Sequence, residues 1–373
     1  MRILFVANSS LGRIGGAAKY YMPAYTAIAG YPTGLIAQAG PSSEGVLEDG
    51  NVELFLGDWT NVRDRLAFIR HAVQTFQPDI VHTFFHRYCG LYPSLLKRKA
   101  KAPKWVVDIR SPLLKQGWQA HAAVKLNRYE VARYDCIVAH GAESAETVIG
   151  PNLDVCVVPP GVEINWLKVR QSPNEEANPL GTSCSRGVYV GSLNAIRSLE
   201  GMFHSIRYAS RWVPLQLDIY GSGNDLDALK DKVKYEELIE TVRFQGKIAR
   251  RDLYELLADY DFGLAYIGNP LHDAAPPLKT LEYLGAGLPV VATDTIGNRM
   301  FVEDDLNGVL TARDSESFGE GIVRLVQSSE FEAMSARARE SVAAYDWERI
   351  VEERLIPLYQ GLLQGSRGSA RSA

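Results

Sequence analysis

The chain carries the same pattern twice, and that repetition limits the fold more than any other feature. Short apolar runs (MRILFVA, PTGLIAQ, NVELFLG, PDIVHTFF, WVVDIRSP, YDCIVAH and VCVVPPGVE) alternate with amphipathic stretches such as DRLAFIRHAVQTFQ and ESAETVIG. Periodicity in Leu167–Ser185 dissolves into QSPNEEANPLGTSCS. The series then restarts with GVYVGSL, LQLDIYGSG, VRFQGKI, DFGLAYI, LPVVAT and GVLTA, separated by helical patterns. Apolar runs without in–out alternation suit strands covered on both faces. Strands alternating with helices call for a parallel, doubly wound α/β sheet. Two such series in 373 residues predict two Rossmann-like domains, each long enough to bury its own core. The boundaries predicted are 1–166 for the first, 167–185 for the linker and 186–346 for the second. A helix over 347–363 and a tail over 364–373 complete the chain.

Composition narrows the function classes. No run of eighteen apolar residues occurs, and MRILFVANSS lacks the basic start and apolar core of a signal peptide. Cys89, Cys136, Cys156 and Cys184 show no metal-ligand spacing and read as reduced thiols. The expectation is a cytoplasmic protein with no metal site, no bound cofactor and no nucleic-acid partner. Residues 1–160 carry a net charge of +4 and residues 161–373 one of −8. Within the basic half, Lys97, Arg98, Lys99, Lys101 and Lys104 cluster behind leucines and aromatics. That cluster fits either anionic lipid, making the protein peripheral at the inner membrane face, or a solvated helix end.

The most informative stretch is PPLKTLEYLGAGLPVVATD, Pro276–Asp294. Prolines suit a helix entry, where missing N–H groups are not needed. Leu278, Leu281 and Leu284 keep helical spacing, and Gly285 and Gly287 are expected to end the helix. Lys279 lies in the first turn, with Glu282 three residues on. A helix start with a lysine is a natural seat for an anion, and a carboxylate one turn deeper accepts hydrogen bonds from a ribose diol. A solvated Lys–Glu pair explains the same residues. Gly15 and Gly16 follow the first strand in a loop that opens a helix at about Ala17; the adjacent pair is not the spacing of a dinucleotide fingerprint, and a plain tight turn explains it as well. His82, His86 and His140 fall at or after strand ends, where structural hydrogen bonding and ligand contact are both open.

Taken in order, PPGVE, YVGSL, LDIYGSG, VRFQGKI, EYLGAGLPVVATD and a closing WERI…LY helix resemble the GT-B glycosyltransferases. The match is strongest to the retaining, nucleotide-sugar-dependent family 4 and runs from Arg2 to about Leu363. The resemblance implies two domains facing across a cleft, with the nucleotide sugar on the second and most of the acceptor on the first. It implies that the last helix crosses back onto the first domain. Glu282 matches the second carboxylate of the family's E-x7-E motif and would bind ribose. Lys279, flanked by Leu278 and Thr280, would meet the diphosphate, and Arg197 would neutralise the leaving diphosphate. Lys247 and Ile248 would lie against the base, and Gly15 and Gly16 would close over the diphosphate and sugar. The chain departs from the pattern at Ala274, where the first glutamate is missing, and at Ser192, where a second basic residue is usual. Asp273 is a candidate replacement for the sugar contact. Arg110, after Asp108, and His86 are candidates at the first-domain strand ends.

The implied activity is transfer of a sugar from a UDP- or GDP-sugar to a hydroxyl on a glycan, lipid-linked or small-molecule acceptor, in polysaccharide or glycoconjugate synthesis. Two rival readings are a catalytically silent sugar-nucleotide-binding protein and a sugar-nucleotide epimerase.

Overall fold

The structure is a computed structural model that describes residues 1–10, 18–39, 51–96, 102–170 and 184–365. Gly15, Gly16 and the cluster Lys97, Arg98, Lys99 and Lys101 lie outside the described residues, as does most of the stretch read as a linker. The chain divides into two compact units, Met1–Gly161 with Trp347–Ala373 and Val162–Asp346.

The first unit holds seven strands: β1 (Ile3–Ser10), β2 (Thr33–Gln38), β3 (Glu53–Gly57), β4 (Ile80–Phe84), β5 (Lys104–Ile109), β6 (Cys136–Ala139) and β7 (Cys156–Val157). They pair in the order β3-β2-β1-β4-β5-β6-β7, all parallel. The second unit holds β8 (Ser185–Val190), β9 (Leu215–Tyr220), β10 (Val242–Gly246), β11 (Phe262–Ala265), β12 (Val290–Thr293) and β13 (Gly308–Thr311). Its order, β10-β9-β8-β11-β12-β13, repeats the first six strands of the other sheet. Both are doubly wound sheets whose strand order reverses once, between β1 and β4 and between β8 and β11.

In the second unit, Phe262, Leu264, Val291 and Val309 pack under helices 200–209, 226–235 and 315–326. Val188, Ala265, Val290 and Ala292 alternate with them and pack under helices 250–256, 278–285 and 331–341. Burial on both faces explains why these strands read as continuous apolar runs.

Two local expectations change. Gly285 is still helical, and Gly287, at φ +77°, alone takes the left-handed conformation. A Cβ on Gly285 would lie 2.6 Å from Leu167 Cδ1, so close packing is what favours glycine there. The closing amphipathic stretch is not one α-helix either. It runs Trp347–Ile350, then a π-turn over Val351–Leu355, then a helix over Ile356–Leu363. Pro357 has no N–H to donate and its ring crowds the carbonyl four residues back, which breaks the regular ladder. This segment belongs to the first unit. Trp347 stacks on Tyr21 at 5.8 Å, and a Cβ on Gly161 would sit 2.5 Å from the Trp347 ring.

At the strand-order reversal of the second unit, β8 pairs with β11 only at Gly187 and Val188. Past that point the strands part, and Val190 has no strand neighbour on that side. Its N–H donates instead to the Tyr283 hydroxyl at 2.7 Å. The Tyr283 ring crosses β11 at Gly263, where a Cβ would lie 2.2 Å from ring carbon. Replacing Tyr283 by Phe leaves a partly buried N–H unpaired and should lower the unfolding free energy by about 1–3 kcal/mol. Urea denaturation at unchanged slope measures this; a loss under about 0.5 kcal/mol, the size of an ordinary surface change, would contradict the role.

Candidate active site

The carboxyl ends of β8–β12 support loops that lock into one another. After β8, Gly191 N donates to Tyr220 O and Leu193 N to Ser222 O. Gly221, at φ +154°, and Gly223 permit this approach. A Cβ at Gly221 would lie 1.8 Å from Gly191 O, and one at Gly223 would lie 2.0 Å from Leu193 O. The loop after β11 joins the same assembly, with Asn269 Nδ2 donating to Ile196 O at 2.9 Å. Asn298, fully buried after β12, donates to Thr293 O and Ala265 O and accepts from Thr280 Oγ1. One amide thus ties two strand ends to the helix start at Leu278.

Lys279 and Arg197 come together at this edge. The Lys279 amine stands 3.6 Å from the centre of the Tyr189 ring, a cation–π contact. A Cβ on Gly191 would lie 3.1 Å from that amine, so the β8 loop runs directly beside it. Burial drives the Lys279 pKa well below the ordinary lysine value. The Arg197 charge lowers it further, and Glu282 opposes. Arg197 Nε donates to Ser192 Oγ at 3.1 Å. The serine that replaces a second basic residue therefore orients the one that remains. Neither Arg197 nor Lys279 has a carboxylate ion-pair partner among the described residues, whereas the nearby Arg250, Arg299 and Arg313 all do. Two partly buried cations without carboxylates make a ready seat for an anion.

Glu282 is buried on the same helix, and Arg250 Nη1 lies 3.6 Å from its Oε1. Burial raises the Glu282 pKa against the opposing charges of Arg250 and Lys279. Thr280 is fully buried, and its hydroxyl holds Asn298. Leu278 opens the helix, half-buried. Lys247 is exposed, and Ile248 packs partly against the core beside Gly246, which has φ +82°. Asp273 pairs with Arg313, so this carboxylate is already engaged.

In the first unit, the charged groups satisfy one another. Asp108 is fully buried, with Oδ2 3.0 Å from His82 Nε2 and Oδ1 2.7 Å from Arg110 Nε. Its burial alone would raise its pKa, but Arg110 and His82 outweigh that and hold it below the usual carboxylate range. His82 Nδ1 and the Tyr359 hydroxyl share a hydrogen bond of 2.7 Å, and Arg110 Nη1 donates to Val158 O. His82 is thus a structural link to the closing helix, and the Arg110 charge is compensated within the unit. Burial brings His86 down to about pKa 3 despite its bond to Phe84 O, and Arg65 and Lys19 lower it further. Its ring nitrogens meet Phe84 O and the Tyr92 hydroxyl. A neutral imidazole with both nitrogens engaged offers no free acid or base.

Sequence reasoning missed Arg250, Tyr283, Asn298 and His272. Arg250 opens the helix after VRFQGKIA, and a cation at that helix start was a usable signal. The other three needed three-dimensional contacts.

Comparison with known proteins relates the chain to glycosyltransferases. Residues 185–328 match the family model for glycosyl transferases group 1. Within the second unit this stretch is therefore similar to the group 1 glycosyltransferases, and the fold is GT-B. The chain is 26% identical over 158 residues to a UDP-N-acetylglucosamine–peptide N-acetylglucosaminyltransferase GtfA subunit of Streptococcus agalactiae, covering 40% of this chain and 29% of that one. It is also 26% identical over 263 residues to a D-inositol 3-phosphate glycosyltransferase of Geodermatophilus obscurus, covering 65% and 56%. The matches therefore span less than two thirds of these relatives' own length. Anabaena HepE, solved with UDP, superposes at a TM-score of 0.77 with 18% identity, over 96% of this chain and 100% of that one.

Replacing Asp108 by Asn leaves the Arg110 guanidinium uncompensated and should destabilise the protein by about 3 kcal/mol at pH 7. The depressed folded pKa makes this contribution present above the unfolded carboxyl value and lost as pH falls through the folded one. The gap between wild type and variant should therefore close below about pH 4. Urea midpoints from pH 7 to 3 check this, and a constant gap would contradict it.

Proposed function

We propose that this chain is a retaining, metal-independent glycosyltransferase that moves a hexose-type sugar from a UDP-sugar, or a GDP-sugar, to a hydroxyl acceptor. The observation that carries the proposal is the uncompensated pair Arg197 and Lys279 at the strand-order reversal of a group 1 domain. Breaking a glycosyl–phosphate bond puts negative charge on the departing diphosphate. Two fixed cations stabilise that charge without reorganising at the moment of reaction, and such preorganised electrostatics often contributes more to catalysis than any other effect. They supply what a divalent ion would otherwise supply. Glu282 would accept from the ribose hydroxyls, with Arg250 keeping its carboxylate charged, and the base would lie against the backbone at Lys247 and Ile248. Anabaena HepE has been solved with UDP and with UDP-glucose, which favours uridine among the nucleotides.

In a retaining mechanism with front-face attack, the leaving diphosphate oxygen takes the acceptor's proton, so no separate base is required. Neutral, doubly engaged His86 and charge-compensated Arg110 are consistent with that route. Acceptors of the glycan, lipid-linked or small-molecule kind fit the same reading, as does a cytoplasmic location with peripheral membrane contact. A silent sugar-nucleotide-binding protein is the rival, favoured by Ala274 and by the engagement of Asp273 with Arg313. Donor consumption above the enzyme-free control, unchanged by EDTA, separates the two.

Calorimetric titration with UDP should show Glu282→Ala weakening binding by about 1–3 kcal/mol, the loss for a charged hydrogen-bonding group. Arg197→Ala should lower kcat more than donor affinity, because the interaction strengthens as the diphosphate leaves. No binding of UDP or GDP by the wild type would sink the proposal, and equal losses in both parameters would remove Arg197 from its role.

A further inference from the structure

We propose that His272, two residues before Ala274 in the loop after β11, reads a hydroxyl of the sugar attached to the donor diphosphate. The inference rests on the donor reading above and deepens it by naming a specificity-determining residue.

His272 closes the short turn Pro270–His272 in the loop after β11. The turn is rigid. His272 N donates to Asn269 O, Leu271 N donates to Asn269 Oδ1, and Asn269 Nδ2 reaches across to Ile196 O in the Arg197 loop. Ala275 N then donates back to His272 O. The imidazole is 8% exposed, and its Nε2 has no hydrogen-bond partner among the described residues. A buried polar atom without a partner is rare in a folded protein and calls for an explanation. A ligand that completes the bond is one.

The neighbours point to the kind of ligand. Asn269 ties the His272 turn to the Arg197 loop, and the charges of Arg197, Asp273 and Lys279 bear on the ring, so His272 borders the anion seat. Burial first, then the two cations, lower its pKa, while Asp273 opposes. The ring is therefore uncharged at neutral pH, and its share in recognition is direction, not charge. The cations suit the diphosphate. An uncharged nitrogen held on a rigid turn suits a neutral hydroxyl next to it. Sites built to hydrogen-bond a hydroxyl discriminate strongly against ligands that cannot complete the bond. Asp273 does not compete for that task, because Arg313 holds it.

Titrating wild type, H272A and H272Q with UDP, UDP-glucose and UDP-N-acetylglucosamine tests the assignment. UDP affinity should stay within about twofold in all three proteins, while H272A should lose about tenfold for the preferred sugar nucleotide. H272Q keeps a hydrogen-bonding amide and should recover part of that loss. Thermal melts of both variants confirm folding independently of the ligand. Equal losses for UDP and the sugar nucleotide, or no loss for either, overturn the assignment. Wild type that binds none of the three ligands overturns the donor reading itself, a separate outcome.

Discussion

Much of the second unit follows from the point where β8 and β11 stop pairing. Parallel strands on either side of a strand-order reversal carry their connections away in opposite directions, which opens a crevice at their carboxyl ends. An opened ladder leaves backbone groups without partners, and a buried N–H without one is expensive. The Tyr283 hydroxyl answers that at Val190, with Gly263 leaving room for its ring. The helix that supplies Tyr283 is the one that carries Lys279 and Glu282. The group that closes the sheet and those that line the candidate site thus share one rigid element.

The cationic pair is the reverse of the Asp108 network. Around Asp108, an arginine, a histidine and a tyrosine satisfy one another, which suits a structural core. At the edge of the second unit, burial and the Arg197 charge lower the Lys279 pKa, and neither cation pairs with a carboxylate among the described residues. Such an arrangement reduces stability locally and persists because the surrounding loops over-determine it. Those loops are fixed by close backbone approaches at Gly221, Gly223 and Gly268, where a Cβ would meet a carbonyl oxygen at 2.0 Å or less. An anion arriving in this setting binds preorganised charge. Because Lys279 starts with a depressed pKa, the anion should draw a proton onto it, which couples affinity to pH.

The alternating apolar runs made both sheets legible from sequence, because strands buried on two faces have no polar side to obscure them. The helix opening after Pro277 was equally plain, since prolines, leucine spacing and glycines agree. Its ending was less so. Gly285 and Gly287 look alike in sequence, and only packing against Leu167 tells their reasons apart. Pro357 was in view, yet the π-turn before it was not anticipated. Lys279 and Glu282 were singled out by their spacing on one helix, and Arg197 by the family resemblance. Asn298 and His272 were not, because their importance lies in contacts across strand ends that no linear pattern records. His86 and Arg110 stood at suggestive strand ends, but Phe84 and Tyr92 already engage the first and Asp108 and Val158 the second.

The account depends on Lys279 and Arg197 forming an anion seat whose charge is uncompensated in the free protein. The direct measurement is the Lys279 amine pKa, followed by NMR on lysine-labelled protein with and without UDP, with K279R to assign the signal. The account predicts a pKa well below the ordinary lysine value in the free protein and a clear rise when UDP binds. An amine that titrates normally, or whose pKa is unmoved by saturating UDP, would contradict it.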